Sequence, residues 1–95
     1  LPTAILAAAI RPSITSSALK TRIDDLLDTL RLVKANLDVT SGQQVIEQAT
    51  APLVARGVIV VEGDRYRVRD RIVLRYYART IQHLLTSSSN TIRLH

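Results

Sequence analysis

Between Leu19 and Leu37 the apolar residues Leu19, Ile23, Leu26, Leu27, Leu30, Val33 and Leu37 recur every three or four positions. One long amphipathic helix, over residues 17–37, must therefore lay a stripe of branched side chains against the rest of the chain. Its other face carries Lys20, Thr21, Asp24, Asp25, Asp28 and Arg31, with Lys20–Asp24 and Asp28–Arg31 at contact spacing. Such pairs stabilise a helix by only about 0.2–0.5 kcal/mol each, so the charges mark a solvated face. Three aspartates with no histidine and no loop geometry do not make a metal site. Ninety-five residues suffice for one domain. With no Phe, Trp, Met or Cys, its core has to be built from Leu, Ile, Val and Ala, helped by three tyrosines. The lack of cysteine excludes disulfides and thiolate metal sites, and fits a cytoplasmic setting.

Three further helices and a hairpin accompany that element. Pro2 and Thr3 suit a helix start, and Ala4, Ile5, Leu6, Ala8, Ala9 and Ile10 are so uniformly apolar that this helix must be buried on most sides until Pro12 ends it. Ser13 to Ser17 form a polar connector, from which Ile14 can turn inward in a very short strand and a serine can cap the long helix. After a connector at 36–40, Ser41-Gly42-Gln43-Gln44 has the pattern of a capping box, opening a third helix that buries Val45, Ile46, Ala49, Leu53 and Val54. Pro52 removes a backbone donor and predicts a kink or restart at 50–52, and Gly57 closes the helix. Val58 to Val61, the turn Glu62-Gly63-Asp64 and the alternating Arg65 to Arg69 predict a β-hairpin, with Tyr66 and Val68 on one face and Arg65, Arg67 and Arg69 on the other. Asp70 can cap a last helix over 71–85, with Val73, Leu74, Tyr77, Ala78, Ile81, Leu84 and Leu85 inward and Arg71, Arg75, Arg79 and His83 outward. Residues 1–85 thus read as a single domain, and 86–95, Ser-rich and without a packing signal, as a flexible tail.

Residues 1–64 carry six basic and seven acidic side chains, whereas 65–95 carry seven basic and one acidic, so the net charge of +5 is a local patch. Its guanidiniums, Arg65, Arg67, Arg69, Arg71, Arg75 and Arg79, are the candidate binding residues for lipid headgroups, nucleic acid or an acidic protein surface. Tyr76 is a candidate anchor at a lipid interface, where an amphipathic ring suits the headgroup boundary. The same arginines can equally keep a hairpin edge soluble or pair with carboxylates of another domain. The chain has no Gly-rich phosphate loop, metal-ligand cluster, Ser/His/Asp set or cysteine nucleophile, so no catalytic residue, metal or cofactor is expected within it. His83, on the polar side of the last helix, reads as solvated. The longest apolar run, Ala4 to Ile10, is far short of the roughly 20 residues that cross a bilayer. Leu1-Pro2-Thr3 has neither an initiator Met nor a basic n-region, which reads as a piece of a longer protein and not as a signal peptide.

The expected fold class is mainly α with a small β-hairpin. The order helix, helix, helix, hairpin, with Leu53 to Ile59 feeding a wing-like turn, is similar to a winged-helix domain with an added C-terminal helix. Nucleic-acid binding is then the alternative function. A winged helix that reads DNA places its third helix in the major groove and needs basic or amide side chains there. Here that helix offers Gln43, Gln44, Glu47 and Gln48, with no positive charge before Arg56, and Glu47 would face phosphates unfavourably.

Gly57-Val58-Ile59, Gly63 to Arg71 and then Leu74-Arg75-Tyr76-Tyr77-Ala78-Arg79-Thr80-Ile81-Gln82-His83-Leu84-Leu85 resemble the carboxyl-terminal region of bacterial, membrane-associated glycerol-3-phosphate 1-O-acyltransferases. The small-residue helix Leu1 to Ala9 is similar to the start of that region. The resemblance implies a parent enzyme that moves an acyl group from a thioester to the first hydroxyl of glycerol 3-phosphate, using a His-x-x-x-x-Asp motif whose histidine is the general base. This chain departs from that motif: Ser88 stands five residues after His83, and His95 is last. The resemblance therefore implies a non-catalytic C-terminal domain of phospholipid biosynthesis, with the catalytic site upstream of Leu1. Its partners would be the catalytic domain of the same chain or an anionic phospholipid surface at the inner face of the cell membrane, met through the arginine-rich face.

Overall fold

Alanine-rich α1 (Pro2–Ala9) is the element on which the other helices of the computed structural model pack. Residues 1–33 and 39–94 are described, with side chains as far as Thr86; Leu37 and His95, singled out from the sequence, lie outside them. Pro2 sits in the first turn of α1, where its missing N–H costs nothing, and Ala4, Ile5, Leu6, Ala7 and Ala9 are all buried. Small side chains let α2 (Ser16–Leu32), α3 (Gly42–Ala55) and α4 (Arg71–Leu94) all reach this helix. The carbonyl of Ala9, one of the orphans at its C-terminal end, accepts from Arg22 Nε at 2.7 Å.

Leu19, Ile23, Leu27 and Leu30 of α2 are buried as their spacing requires, and Leu26 and Val33 pack at the margin of the core. The cap of this helix is Thr15 and not a serine: Ala18 N donates to Thr15 Oγ1 at 3.3 Å. Of the two expected ion pairs, Asp28–Arg31 forms at 2.9 Å. Asp24 instead accepts from the backbone N–H of Gly42, tying the first turn of α3 to the flank of α2. Ser41 accepts from Gln44 N at 3.2 Å, as a capping box requires, but Gln44 Oε1 reaches back one residue further, to Thr40 N at 2.8 Å.

Of the kink or restart expected at 50–52, no restart occurs: α3 is one helix from Gly42 to Ala55 with Pro52 inside it. Ala49 and Leu53, both fully buried, hold the turns on either side of the proline, so tertiary packing outweighs the missing donor. Gly57, with φ of 73°, ends the helix, and Gly57 N and Val58 N donate to the carbonyls of Val54 and Leu53, each at 3.0 Å. This is a Schellman closure, with Val58 and Leu53 meeting in the core. Val54, expected inward, is exposed. Thr50 Oγ1 is buried without a hydrogen-bond partner. Thr50→Val, which removes that hydroxyl at constant shape, is expected to raise the unfolding free energy by about 1 kcal/mol in urea titration.

Ile14 does belong to a strand. The strands β1 (Ser13–Thr15), β2 (Ile59–Glu62) and β3 (Arg65–Val68) form an antiparallel sheet in the order β1-β3-β2, so β3 is its centre and the hairpin is extended by the connector. Ile14, Tyr66 and Val61 share one row of the register on the inner face, and Ser13, Arg67 and Val60 a row on the outer one. The order α1, β1, α2, α3, β2, β3 with α4 appended is mainly helical and winged-helix-like. Helix α4 runs from Arg71 to Leu94, past the Leu85 at which the sequence predicts its end. Ser, Thr and Asn are modest helix formers, yet no Gly or Pro interrupts the segment.

Candidate functional site

Pleating fixes the sheet arginines first. With Tyr66 buried against the core, Arg65 and Arg67 must project from the outer face. There Arg67 Nε meets Glu62 Oε1 at 2.8 Å, and Arg65 Nη1 donates to Ser13 Oγ at 3.1 Å. Both stitch neighbouring strands together, through exposed contacts that add at most about 1 kcal/mol each. Arg69 is exposed at the turn that follows, where the N–H groups of Arg69 and Asp70 both donate to the carbonyl of Val58.

Asp70 Oδ1 accepts from Val73 N at 3.1 Å, capping α4 as its position implies. Packing against α1 sets the phase of that helix. Ala78 and Ile81 are buried, and Leu74, Tyr77, Leu84 and Leu85 lie at the core margin. Opposite them, successive rotations of about 100° bring Ile72, Tyr76, Arg79 and His83 to the outward face, with Arg75 beside them. Ile72 is 82% exposed and Tyr76 73%, and Ile72, Val73, Arg75, Tyr76 and Arg79 line one shallow, mostly apolar groove. Val73, expected inward, is 36% exposed and belongs to this surface. Its displacement follows from the helix phase, which gives the inward positions to Leu74 and Ala78. Tyr76 meets Tyr77 edge to face, with ring centroids 6.5 Å apart, and the Arg56 guanidinium lies 5.8 Å from the centre of the Tyr77 ring. Tyr77 is thereby fixed by packing, while Tyr76 touches it by one edge and is otherwise exposed on the outer surface.

The six predicted arginines are thus sorted by the fold. Arg65 and Arg67 cross-link the sheet; Arg75 and Arg79 flank Ile72 and Tyr76. Arg71 and Arg75 line a second groove, against α1, together with Arg11. The run of arginines alone could not reveal Ile72, which carries no signal beyond its place four residues before Tyr76, or Arg11, remote in sequence. Among the described residues no group of three or more His, Cys, Asp or Glu side chains converges, and His83 is exposed on α4. The outer side of α3 carries Gln43, which donates to Glu47 at 3.1 Å, and then an apolar groove lined by Ile46, Ala51, Val54 and Val61. Its C-cap Arg56 is turned onto Tyr77.

No family model, curated protein or solved structure matches the chain. Among the described residues, no helix is long and apolar enough to cross a membrane.

Proposed function

We propose that this chain is a non-catalytic module that docks a phospholipid-synthesis acyltransferase onto an anionic membrane surface through the outward face of α4. The observation that carries the docking is the pairing of two well-exposed apolar side chains, Ile72 and Tyr76, with Arg75 and Arg79 on one helix face. Water solvates the guanidiniums but not the isoleucine and the tyrosine ring, whereas an anionic lipid interface accommodates both. The apolar pair enters the headgroup boundary, the tyrosine ring with its hydroxyl outward, while each guanidinium gains about 1 kcal/mol from an anionic leaflet. The enzyme context comes from the resemblance of Tyr76-Tyr77-Ala78-Arg79 through Leu85 to the acyltransferase C-terminal region.

The apolar and acidic outer side of α3 speaks against DNA as the partner, because a groove-reading helix meets a row of phosphates. Sedimentation with phosphatidylglycerol-containing and purely phosphatidylcholine vesicles, beside gel shifts with duplex DNA, tests the assignment. The chain is expected to pellet with anionic vesicles at low salt, to release progressively as salt rises, and to leave both neutral vesicles and DNA alone. Equal binding to neutral vesicles, a DNA shift, or no lipid binding at all would refute it, the last result favouring a protein surface.

A further inference from the structure

Helix α4 turns a second stripe toward α1. Arg71, Arg75, Ala78 and Gln82, spaced by four, three and four, form one wall of a groove of about 270 Å³ whose other wall carries Ala8 and Arg11. Alanines at 8 and 78 leave room between the two helices, and a longer side chain at either position would narrow the groove. Arg11, Arg71 and Arg75 are all exposed, and none of the ion pairs among the described residues involves them. Three like charges around one depression repel each other and focus a positive potential within it, so the site gains by taking up an anion.

We propose that this groove binds a phosphomonoester, held by Arg11, Arg71 and Arg75 beside Gln82. Near neutral pH a monoester carries a charge of about −1.5 to −2 on three terminal oxygens, enough to engage three guanidinium forks, where a diester offers one charge on two. The groove is slightly smaller than the roughly 300–1,000 Å³ of sites that enclose drug-sized ligands, so it takes a headgroup and not an acyl chain. It rests on the membrane proposal only for the lipid as the source of the phosphate; a soluble phosphate ester shares the chemistry.

The test is calorimetric titration of the chain with inorganic phosphate, dihexanoyl phosphatidic acid and dihexanoyl phosphatidylglycerol, the lipids below their micelle concentrations. The monoester lipid is expected to bind about tenfold or more tightly than the diester, and Arg11→Ala to lower its affinity by a similar factor. Ala8→Leu, which leaves the charge unchanged, is expected to do the same by narrowing the groove, and Arg65→Ala, which removes one charge elsewhere, to change it less than about twofold. Should Ala8→Leu fail to fold by circular dichroism, the contrast of Arg11→Ala with Arg65→Ala decides alone. Inorganic phosphate binding as tightly as phosphatidic acid assigns the site to soluble phosphates, and much weaker binding assigns it to lipid. Equal affinity for the two lipids, or an Arg11→Ala affinity like that of Arg65→Ala, overturns the site. That failure with vesicle docking retained leaves the membrane proposal standing, whereas monoester selectivity without vesicle docking overturns the membrane proposal alone.

Discussion

Gly42→Ala is expected to lower the unfolding free energy by about 3 kcal/mol, although helix propensity alone favours alanine over glycine by about 1 kcal/mol. The sign is the informative part. A Cβ at this position would stand 2.6 Å from the backbone carbonyl oxygen of Lys20 and 2.9 Å from Asp24 Oδ1. The first neighbour is backbone and cannot swing aside, so α2 and α3 must separate. That separation stretches the bond from Gly42 N–H to the Asp24 carboxylate. Overpacking typically costs about 1–3 kcal/mol and a lost hydrogen bond to a charged group about 1.5–3 kcal/mol, and the two overlap here because one movement causes both. Gly57→Ala is the control. Nothing lies within 4 Å of a Cβ there, and only its φ of 73° is unfavourable. It should cost about 1–2 kcal/mol. Denaturant titration of the two variants checks the order; Gly42→Ala proving the milder of the pair contradicts the close α2–α3 contact.

Replacing Arg71, Arg75 and Arg79 together by alanine is expected to weaken binding to anionic vesicles on the order of 100-fold. The magnitude follows from about 1 kcal/mol per guanidinium near a charged leaflet, and about 1.4 kcal/mol per tenfold change in affinity. All three side chains are exposed, and none takes part in the ion pairs of the described residues, so the melting temperature should stay close to that of the unaltered chain. Ile72→Ser with Tyr76→Ser should also weaken binding to anionic vesicles, by removing the apolar contribution that adds to the charge attraction and is too small to hold the chain on neutral lipid. Undiminished vesicle affinity in the triple arginine variant contradicts the electrostatic part of the proposal.

The parts of this structure that the sequence makes legible are those governed by short-range chemistry. The stripe Leu19, Ile23, Leu27, Leu30 needs only helical periodicity, and the caps at Ser41 and Asp70 and the closure at Gly57 need only the orphan groups of a helix end. Where distant segments decide, legibility fails. Pro52 remains inside α3 because Ala49 and Leu53 are locked into a core built by other helices. Val73 faces outward because α1, far away in sequence, sets the rotation of α4. Of the candidate site, the arginines were legible as charges, but their division was not. Glu62 and Ser13 engage the sheet pair, and Arg11 joins Arg71 and Arg75 only because α1 and α4 pack side by side.

The chain contains no cysteine, so a single introduced one can carry an environment-sensitive fluorophore at a chosen face. Labels at Ile72→Cys on α4 and at Glu47→Cys on α3, titrated with phosphatidylglycerol vesicles, report which surface meets lipid. A blue shift and increased emission are expected at position 72, with little change at position 47. A response confined to position 47, or equal at both, would contradict docking through α4.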